Sequence, residues 1–200
     1  LMTNPDGTVN LDLAGVASGC CAVYVEQPTP FGVIDEGLPK LKGIIGEKTA
    51  LIVGVNATSL GILEPPGCWG ADLVVGEGQP FGIGPTGGGP IYGLFACTKP
   101  YLRQMPGRIV GQTRDEEGRE AYTLTLSTRE QHIRRNKATS NICSNETLIA
   151  LMGAMHMALL GPGGIERLAL RNVAACEATK RAVLEIEGIE LLHPEASHYN

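Results

Sequence analysis

Four apolar runs, each bounded by polar, proline or glycine residues, form the strongest pattern in the chain. They cover residues 20–26, 49–55, 70–76 and 91–97. Short runs of this kind are typical of β-strands, and the absence of strict alternation indicates strands that are buried on both faces. Because a helical pattern lies between the first two runs, we predict an α/β fold with a mainly parallel sheet.

Apolar residues at helical spacing predict three helices. The first has a proline in its first turn, where a missing N–H costs nothing. The second begins at the candidate N-cap Asn145 and stops at Gly161, and the third ends at Gly188. The predicted helices cover residues 34–46, 145–161 and 165–188.

A β-hairpin and a change of domain are predicted in the second half of the chain. Residues 108–113 and 121–126 flank a polar turn that ends in glycine, which is typical of a hairpin. After the last helix, the apolar residues 189–192 predict one more short strand. We expect the boundary between the sheet domain and a second, smaller domain within residues 144–164.

The charge balance limits the classes of partner. The 200 residues carry a formal net charge of -5, so no net positive field recruits nucleic acid or an anionic membrane. No apolar run approaches the roughly 18 to 20 residues that span a bilayer, and no signal peptide opens the chain. We therefore expect a cytoplasmic protein whose partners are small molecules or other proteins.

The cysteines and histidines predict neither a disulfide framework nor a metal site. The six cysteines stand in apolar or small-residue contexts without CxxC spacing, so we expect reduced and mostly buried thiols. The four histidines lack the HxxxH and HExxH spacings that place two metal ligands on one helix face.

The most unusual segment is a polar and cationic run at residues 126–143. One interpretation is a solvated loop in which Arg129 and Glu130 form surface ion pairs. Another starts from Thr139, Ser140 and Asn141, which stand just before a predicted helix, where backbone N–H groups favour an anion. The same three residues could instead cap that helix, and the residues alone leave both uses open.

Glycine-rich segments follow the third apolar run, at residues 76–82 and 86–90. Glycine lets a backbone approach a ligand or another chain closely, although a tight turn packed on a neighbouring segment is the commoner reason. Neither GxxxxGK[ST] nor a GxGxxG leading from a strand into a helix is present. The segments are therefore a weak indication of a phosphate site.

Four stretches together resemble one known family, the P-protein of the glycine cleavage system. They are PPG and GAD within residues 65–72, GGGP at residues 87–90, RQMPGR at residues 103–108, and TREQHIRR with KATSNIC within residues 128–143. The resemblance covers nearly all of the chain and is most specific in the last stretch. It identifies the chain as a central fragment of the N-terminal half, which in many bacteria and archaea is a separate subunit 1.

The resemblance implies the aminotransferase-like fold of type I pyridoxal-phosphate enzymes, with a seven-stranded sheet and a small C-terminal α+β domain. Residues 1–144 would form the C-terminal part of the large domain, including the hairpin at 108–126, and residues 145–200 the linking helix and the start of the small domain. The implied activity is glycine dehydrogenase (decarboxylating). A heterotetramer with subunit 2 would decarboxylate glycine on pyridoxal phosphate and pass the aminomethyl group to the lipoyl arm of the H-protein.

The resemblance also implies which half holds the cofactor. Enzymes of this fold need a Schiff-base lysine just before the glycine-rich loop and an aspartate beside the pyridinium nitrogen. The corresponding positions are Gln79 and Gly54. An amide cannot bind the cofactor covalently, and a glycine carries no counter-charge. We therefore expect no catalytic residue on this chain and a cofactor bound covalently by the partner subunit.

The chain is then expected to supply the opposing wall of the partner's active site. The wall residues implied by the resemblance have amide, hydroxyl or cationic side chains and are Gln79, Arg134, Arg135, Lys137, Thr139, Ser140 and Asn141. The three cationic side chains can hold a carboxylate or phosphate by charge-assisted hydrogen bonds. They can equally organise the interface between the subunits, and both roles stay open.

Three other interpretations compete with this one. The chain could be a non-catalytic structural or regulatory subunit of the same complex. It could be a self-sufficient pyridoxal-phosphate enzyme that uses another of its lysines. An RNA-binding module that reads the basic run has little support, because the total charge is acidic and few aromatic residues are available for stacking.

Overall fold

The computed structural model describes residues 3–12, 17, 19–138 and 146–200. The backbone divides into two compact units. Unit 1 comprises Leu1–Ala96 and Ile149–Asn200, and unit 2 comprises Cys97–Leu148. These units differ from the predicted domains at residues 1–144 and 145–200. Those domains are defined by the fold of the whole family and stay a prediction.

Unit 1 is built on a four-stranded sheet in the order β1-β2-β3-β4. The strands are β1 (Ala22–Gln27), β2 (Ala50–Asn56), β3 (Leu73–Glu77) and β4 (Gly93–Cys97). β1 pairs in parallel with β2, and β2 pairs in parallel with β3. The prediction of an α/β fold with a mainly parallel sheet is therefore confirmed, and each of the four apolar runs contains one strand.

The connection between β1 and β2 is shorter than the predicted helix at residues 34–46. It contains a 3-10 turn at Leu38–Lys40 and the five-residue helix α1 at Leu41–Ile45. Gly46 ends the helix with a positive φ of 78°, a conformation that glycine adopts without a steric penalty. The apolar side chains Leu38 and Leu41 are fully buried, whereas Ile44 in the same pattern is 40% exposed, so the helical spacing identified the buried face in part.

The expectation that the strands are buried on both faces is wrong for β1, whereas the central strand β2 has buried residues on both of its faces. Val23 and Val25 of β1 are buried with α1, whereas Tyr24 between them is 53% exposed. Successive side chains of a strand point to opposite faces. The residues that pack on the Tyr24 face are therefore too few to cover it, and that face stays partly open.

A partly buried ion pair fixes where β2 and β3 begin. The Lys42 ammonium contacts the Asp72 carboxylate at 2.8 Å and donates to the backbone oxygen of Thr49 at 2.9 Å. Asp72 also accepts from the backbone N–H of Leu51 at 2.8 Å. Because both charges are saturated by neighbouring groups, their burial is tolerated, and α1 is tied to the start of two adjacent strands.

The long helix α3 spans Thr147–Leu184 and contains a kink at Gly161, where φ is 60° and ψ is 178°. Pro162 follows, and a proline cannot continue the hydrogen-bond ladder of the preceding turn. The two predicted helices are thus present as two segments joined at this kink. The second segment packs on the 3-10 turn at Ala57–Gly61 within unit 1, because a Cβ at Gly61 would lie 2.8 Å from the Ile165 carbonyl oxygen.

α3 is also long and apolar enough to cross a membrane, by length and composition only. The expectation that no segment of this length is sufficiently apolar therefore has to be corrected for α3. Gly161 and Pro162 interrupt the helical backbone within this span. The core helix of a soluble protein passes the same test of length and composition.

The predicted strand at residues 189–192 is absent, and the described residues there form turns and irregular backbone. Gly188 adopts a φ of 84°, and Leu192 is 72% exposed. An apolar run forms a strand only where a neighbouring strand can pair with it. None of the described residues pairs with this segment, so the local apolar pattern was misleading.

The segment at residues 197–200 lies along residues 32–34 of unit 1. The N–H of Ile34 donates to the Ser197 oxygen at 2.8 Å, and the N–H of Tyr199 donates to the Gly32 oxygen at 2.9 Å. The fully buried Tyr199 hydroxyl lies 2.9 Å from the Thr58 hydroxyl. This segment is therefore an integral part of unit 1, held by both backbone and side-chain hydrogen bonds.

Unit 2 contains the predicted hairpin. Its strands are β5 (Ile109–Arg114) and β6 (Glu120–Thr125), which pair antiparallel. Arg119 closes the turn, because its guanidinium contacts the carboxylates of Asp115 and Glu117 at 2.8 and 2.7 Å. A short helix α2 follows at Gln131–Arg134. The hairpin prediction is confirmed.

The five cysteines that the structure describes are free and less buried than expected. Cys20, Cys21 and Cys68 are exposed, and Cys97 and Cys176 are half-buried. The first two precede β1 in an irregular segment, and Cys68 lies in a 3-10 turn at Pro66–Trp69. Apolar neighbours in the sequence therefore did not indicate burial of these thiols. Cys143 lies outside the described residues.

The contact between His198 and Lys180 predicts that acid weakens the segment at 197–200. Burial, followed by the Lys180 ammonium 3.2 Å away, holds the pKa of His198 below its ordinary value of 6.5. The unfolded segment therefore binds a proton more readily, and the stabilisation present above pH 6.5 is lost as the pH falls below it.

We expect the hydrogen-exchange protection factors of the Ile34 and Tyr199 amides in the full-length protein to fall between about pH 7.5 and about pH 5.5. The fall should disappear in His198→Gln. The exposed His132 offers a control, and His132→Gln should leave the fall unchanged. Equal pH dependence in wild type and His198→Gln would contradict the assignment.

Candidate functional site

A cleft lies at the carboxyl ends of β1, β2 and β3. Its volume is about 790 Å³. In open parallel sheets, ligands bind outside the carboxyl ends of the strands. This cleft is therefore the candidate ligand site. Its polar lining comes from the strand ends and from the loop after β1 and comprises Tyr24, Glu26, Thr29, Asn56, Glu77 and Asn200.

Parallel register places several of these side chains on one face of the sheet. Glu26 is the partner of Gly54, and Asn56 is the partner of Glu77. Partners in a parallel ladder point to the same face, as do residues two apart on one strand. The Glu26 and Glu77 carboxylates therefore lie on the same face, on either side of the β2 backbone.

Tyr24 and Glu26 form a hydrogen-bonded pair above Gly54. The Tyr24 hydroxyl donates to Glu26 Oε1 at 2.8 Å. Desolvation, followed by this hydrogen bond and the negative charge of Glu26, raises the pKa of Tyr24 above its ordinary value. A Cβ at Gly54 would overlap the Tyr24 hydroxyl. The space that a longer side chain would need at Gly54 is thus taken by the tyrosine.

Gln79 stands at the start of the glycine-rich loop, as the motif comparison predicted. It follows β3, is half-buried, and donates from Nε2 to the Gly84 oxygen at 3.3 Å. The N–H of the preceding Gly78 donates to the Tyr92 oxygen at 2.8 Å, which closes the loop at its base. The equivalence of Gln79 and Gly54 to the lysine and aspartate positions stays a prediction.

Tyr92 holds this loop against α3. Its ring is buried between Gly78 and Gly153, because a Cβ at either glycine would overlap the ring or its hydroxyl. Desolvation, followed by the charge of Glu77, raises the pKa of Tyr92. Its hydroxyl is buried without a hydrogen-bond partner among the described residues. Gly78 of the loop and Gly153 of α3 therefore allow close packing on the Tyr92 ring.

Unit 2 presents the cationic residues that the sequence singled out. Arg134 ends α2, Arg135 and Lys137 follow in a 3-10 turn, and all three side chains are exposed. Arg135 adopts a φ of 53°, a conformation that costs energy for a residue with a Cβ. Thr139, Ser140 and Asn141 lie outside the described residues, so the anion-site and helix-cap interpretations stay predictions.

Arg129 is not the surface ion-pair residue that the solvated-loop interpretation supposed. It is only 5% exposed, and its guanidinium donates to the backbone oxygens of Met105 and Gly107, the latter at 2.9 Å. The Glu130 carboxylate lies 3.7 Å away. Arg129 therefore ties the segment before β5 to the segment before α2. A guanidinium has five donors in a fixed geometry, which suits such bridging of carbonyls.

Gln79 belongs to unit 1, and the three cationic residues belong to unit 2. The predicted wall thus draws on both units, and its assembly stays a prediction. Among the described residues, no group of three or more His, Cys, Asp or Glu side chains could hold a metal ion.

The family model for the glycine cleavage system P-protein matches residues 7–197. The chain belongs to this family. It is 49% identical over 167 residues to the probable glycine dehydrogenase (decarboxylating) subunit 1 of Thioalkalivibrio sulfidiphilus, covering 82% of this chain and 36% of the relative. The subunit 1 of Pyrococcus furiosus is 47% identical over 190 residues, covering 92% and 42%. The chain spans about two fifths of the length of these curated relatives.

Solved structures agree with the family. A crystal structure of glycine decarboxylase (P-protein) of the glycine cleavage system in inhibitor-bound form has a TM-score of 0.81 and 40% identity, covering 88% of this chain and 40% of that one. The apo cysteine desulfurase from Thermococcus onnurineus NA1 has a TM-score of 0.57 and 22% identity, covering 98% and 48%. The second likeness shows the fold alone. The predicted aminotransferase-like fold is therefore confirmed.

The cleft of this P-protein chain does not fit pyridoxal phosphate. The cofactor carries a phosphate, which needs cationic side chains or several N–H donors. The residues that line the cleft include the carboxylates of Glu26 and Glu77 and contain no lysine or arginine. Gln79 is not among the residues that line the cleft, and Tyr24 fills the space above Gly54. An anionic ligand would meet two like charges here.

Several residues of this P-protein cleft escaped the sequence analysis. The pairing of Tyr24 with Glu26 and the anchoring by Tyr92 depend on which face of a strand each residue occupies. The available signal was the position of Glu26 and Glu77 at the ends of two apolar runs. In a parallel sheet, such positions meet at one edge.

The packing of Tyr92 predicts that Gly78→Ala destabilises the P-protein chain. A new Cβ would overlap the buried Tyr92 ring, which is also in close contact with Gly153, so we expect a loss of about 1–3 kcal/mol in the free energy of unfolding. Gly84→Ala in the same loop is the matched control, because nothing lies within 4 Å of its Cβ position. Denaturant unfolding of the full-length protein measures both, and equal stability of the two variants would contradict the packing argument.

Proposed function

We propose that this chain is part of subunit 1 of glycine dehydrogenase (decarboxylating), the P-protein of the glycine cleavage system. In this proposal subunit 2 binds pyridoxal phosphate covalently, and the cofactor supplies the electron sink for the decarboxylation of glycine. The present chain forms the opposing wall of that active site. The names of the relatives and of the inhibitor-bound structure support the role of a P-protein subunit.

The observation that carries the proposal is the acidic, amine-free cleft at the carboxyl ends of β1 to β3. A chain that held the cofactor itself would need a lysine at the start of the glycine-rich loop, and Gln79 stands there. The two carboxylates at the neighbouring strand ends repel a phosphate. Both features support an active site whose cofactor is held by a second polypeptide.

In this proposal, the cationic residues of the chain act by electrostatic attraction of anionic groups. Arg134, Arg135 and Lys137 are exposed, and none of them has an ion-pair partner among the described residues. Such side chains can orient the carboxylate of glycine or neutralise the cofactor phosphate at a subunit interface. Gln79, Thr139, Ser140 and Asn141 complete the proposed wall as uncharged hydrogen-bonding groups.

The proposal also includes the transfer of the aminomethyl group and a cytoplasmic location. After loss of carbon dioxide, the remaining aminomethyl group is passed to the lipoyl arm of the H-protein, which therefore has to reach the shared active site. The assembly is a heterotetramer of both subunits in the cytoplasm. Both the transfer to the H-protein and the heterotetramer rest on the family resemblance.

We predict that Arg134→Ala and Asn141→Ala each lower the rate of glycine decarboxylation by the assembled complex. Loss of a charge-assisted hydrogen bond costs about 1.5–3 kcal/mol, so the expected decrease for Arg134→Ala is roughly tenfold to hundredfold. Release of carbon dioxide from carboxyl-labelled glycine, with subunit 2 and H-protein present, measures it.

Arg114→Ala is the matched control for this experiment. Arg114 is an exposed arginine of the hairpin whose guanidinium donates only to the Gly118 oxygen, so its loss should leave decarboxylation unchanged. Unchanged rates for both Arg134→Ala and Asn141→Ala would contradict the wall assignment. That result would favour a non-catalytic structural or regulatory subunit.

A further inference from the structure

The cleft at the carboxyl ends of β1 to β3 has the charge of a cation site. Its lining contains the carboxylates of Glu26 and Glu77 and no lysine, arginine or histidine. Unit 1 contains fifteen of the 21 acidic residues but only seven of the 16 lysine and arginine residues, which gives a net charge of -8. A cleft lined by charge of one sign raises the local concentration of the opposite ion, so this one attracts cations.

The two carboxylates of the cleft have only uncharged hydrogen-bond donors beside them. Glu26 accepts from the Tyr24 hydroxyl at 2.8 Å, and Glu77 accepts from the backbone N–H of Gly78 at 3.1 Å. Among the described residues, neither carboxylate has a lysine, arginine or histidine as an ion-pair partner. Like charges that face one cleft without counter-charges repel each other. A bound cation removes this repulsion.

A second and independent feature of the lining is the unpaired hydroxyl of Thr29. The residue is 8% exposed, and its Oγ1 has no hydrogen-bond partner in the part of the chain that the structure describes. The Thr29 backbone is fully bonded, because its N–H donates to the Val33 oxygen at 2.9 Å and its oxygen accepts from the Gly32 N–H at 2.8 Å. Thr29 is thus held in the cleft wall. A buried hydroxyl without a partner is unfavourable, and an N–H donor of a ligand would satisfy it.

Aromatic and apolar groups complete the lining. Tyr24 and Phe31 are 53% and 52% exposed, and both line the cleft together with three prolines. Phe31 is held in place by an edge contact with the His193 ring, because the two ring centroids are 5.3 Å apart. An aromatic face attracts an ammonium group, and apolar surface favours contact with methylene groups. The lining therefore suits an alkylammonium ligand better than a hydrated inorganic ion.

The strand register sets the spacing of the two carboxylates. Glu26 is level with Gly54, and Gly54 is level with Val75, so Glu77 lies two residues further along β3. Neighbouring strands are about 4.8 Å apart, and each residue advances by about 3.3 Å, which places the backbones of Glu26 and Glu77 roughly 12 Å apart. A chain with an ammonium group at each end can contact both carboxylates at once. An amine with a single charge leaves one of them unpaired.

A metal ion matches the cleft less well than an amine. Sites for Ca²⁺ and Mg²⁺ gather several oxygen ligands around one point. The described residues contain no group of three or more His, Cys, Asp or Glu side chains that could hold a metal ion. The two carboxylates of the cleft are instead separated by the β2 backbone, which is the arrangement that an extended ligand with two charges requires.

We infer that the cleft of unit 1 binds an aliphatic amine with two or more ammonium groups. One ammonium contacts Glu26, another contacts Glu77, and Thr29 Oγ1 accepts a hydrogen bond from an N–H of the ligand. The ammonium groups belong either to a free polyamine or to basic side chains of an adjoining polypeptide. Binding makes and breaks no covalent bond. The site uses none of the proposed wall residues and does not depend on the proposed function.

Calorimetric titration of spermidine into full-length subunit 1 at low salt tests this inference. We expect one site per chain, with an affinity that falls as the ionic strength rises. Glu26→Gln and Glu77→Gln each remove one charge with little change in shape and should weaken the affinity roughly tenfold or more. Thr29→Val should weaken it by a smaller factor of about threefold to tenfold. n-Butylamine, which has one ammonium group, should bind about tenfold more weakly than spermidine.

The matched control is Glu47→Gln combined with Glu64→Gln, which removes two exposed carboxylates of unit 1 outside the cleft lining. Its affinity for spermidine should equal that of the wild type. Thermal unfolding without ligand establishes that each variant is folded. The inference is overturned if the wild type shows no saturable binding of spermidine, or if the control weakens binding as much as the cleft variants do. Equal affinities for n-butylamine and spermidine would also overturn it.

The same titration on the assembled complex with subunit 2 identifies the source of the ammonium groups. Retained binding that Glu26→Gln and Glu77→Gln weaken assigns the cleft to a free polyamine. Binding that subunit 1 shows alone and loses on assembly assigns the cleft to basic side chains of the partner. Neither titration requires turnover. A complex that fails to decarboxylate glycine would therefore overturn the proposed function and leave the result on the cleft unchanged.

Discussion

The parallel register of β1, β2 and β3 is the constraint on which the rest of unit 1 depends. Because all three strands run in the same direction, their carboxyl ends meet at one edge, and Glu26, Gly54 and Glu77 are forced onto one face. The ion pair of Lys42 with Asp72 fixes the opposite ends of β2 and β3. A shift of one residue in any strand would turn these side chains to the buried face.

This register explains why a fold associated with pyridoxal phosphate has a cleft unsuited to it. The position is the usual one for a ligand in an open α/β sheet, but the strand ends supply the carboxylates of Glu26 and Glu77 and the lining contains no lysine or arginine. The cationic groups of the chain are concentrated in unit 2 instead. Unit 1 thus contains a sheet whose strand ends are acidic. Unit 2 contains an exposed cationic segment that Arg129 holds by hydrogen bonds to two backbone oxygens.

Local patterns predicted the strands, the hairpin and the break in α3, because each depends on residues near one another in the sequence. They failed where a distant partner decides the outcome. Residues 189–192 have the composition of a strand but no neighbour to pair with. Arg129 reads as a solvated charge, yet two carbonyls more than twenty residues away draw it into the interior. The face on which Tyr24 lies could not be known before the packing of α1 was known.

The wall residues named from the motif resemblance stay predictions, and none of them lines the cleft at the strand ends. The motif resemblance pointed to Gln79 and to the cationic run, and the structure places Gln79 at the start of the glycine-rich loop and the three cations at the surface. The acidic lining of the cleft and the packing of Tyr92 between two glycines depend on tertiary contacts. No periodicity or spacing in the chain encodes them.

The central claim is that this chain does not hold the cofactor, and covalent labelling tests it most directly. Borohydride reduction of the assembled complex in the presence of pyridoxal phosphate, followed by peptide mapping with mass spectrometry, locates every lysine that binds the cofactor. The account predicts a label on a lysine of subunit 2 and none on the six lysines of this chain. A stoichiometric label on any of those six would contradict it.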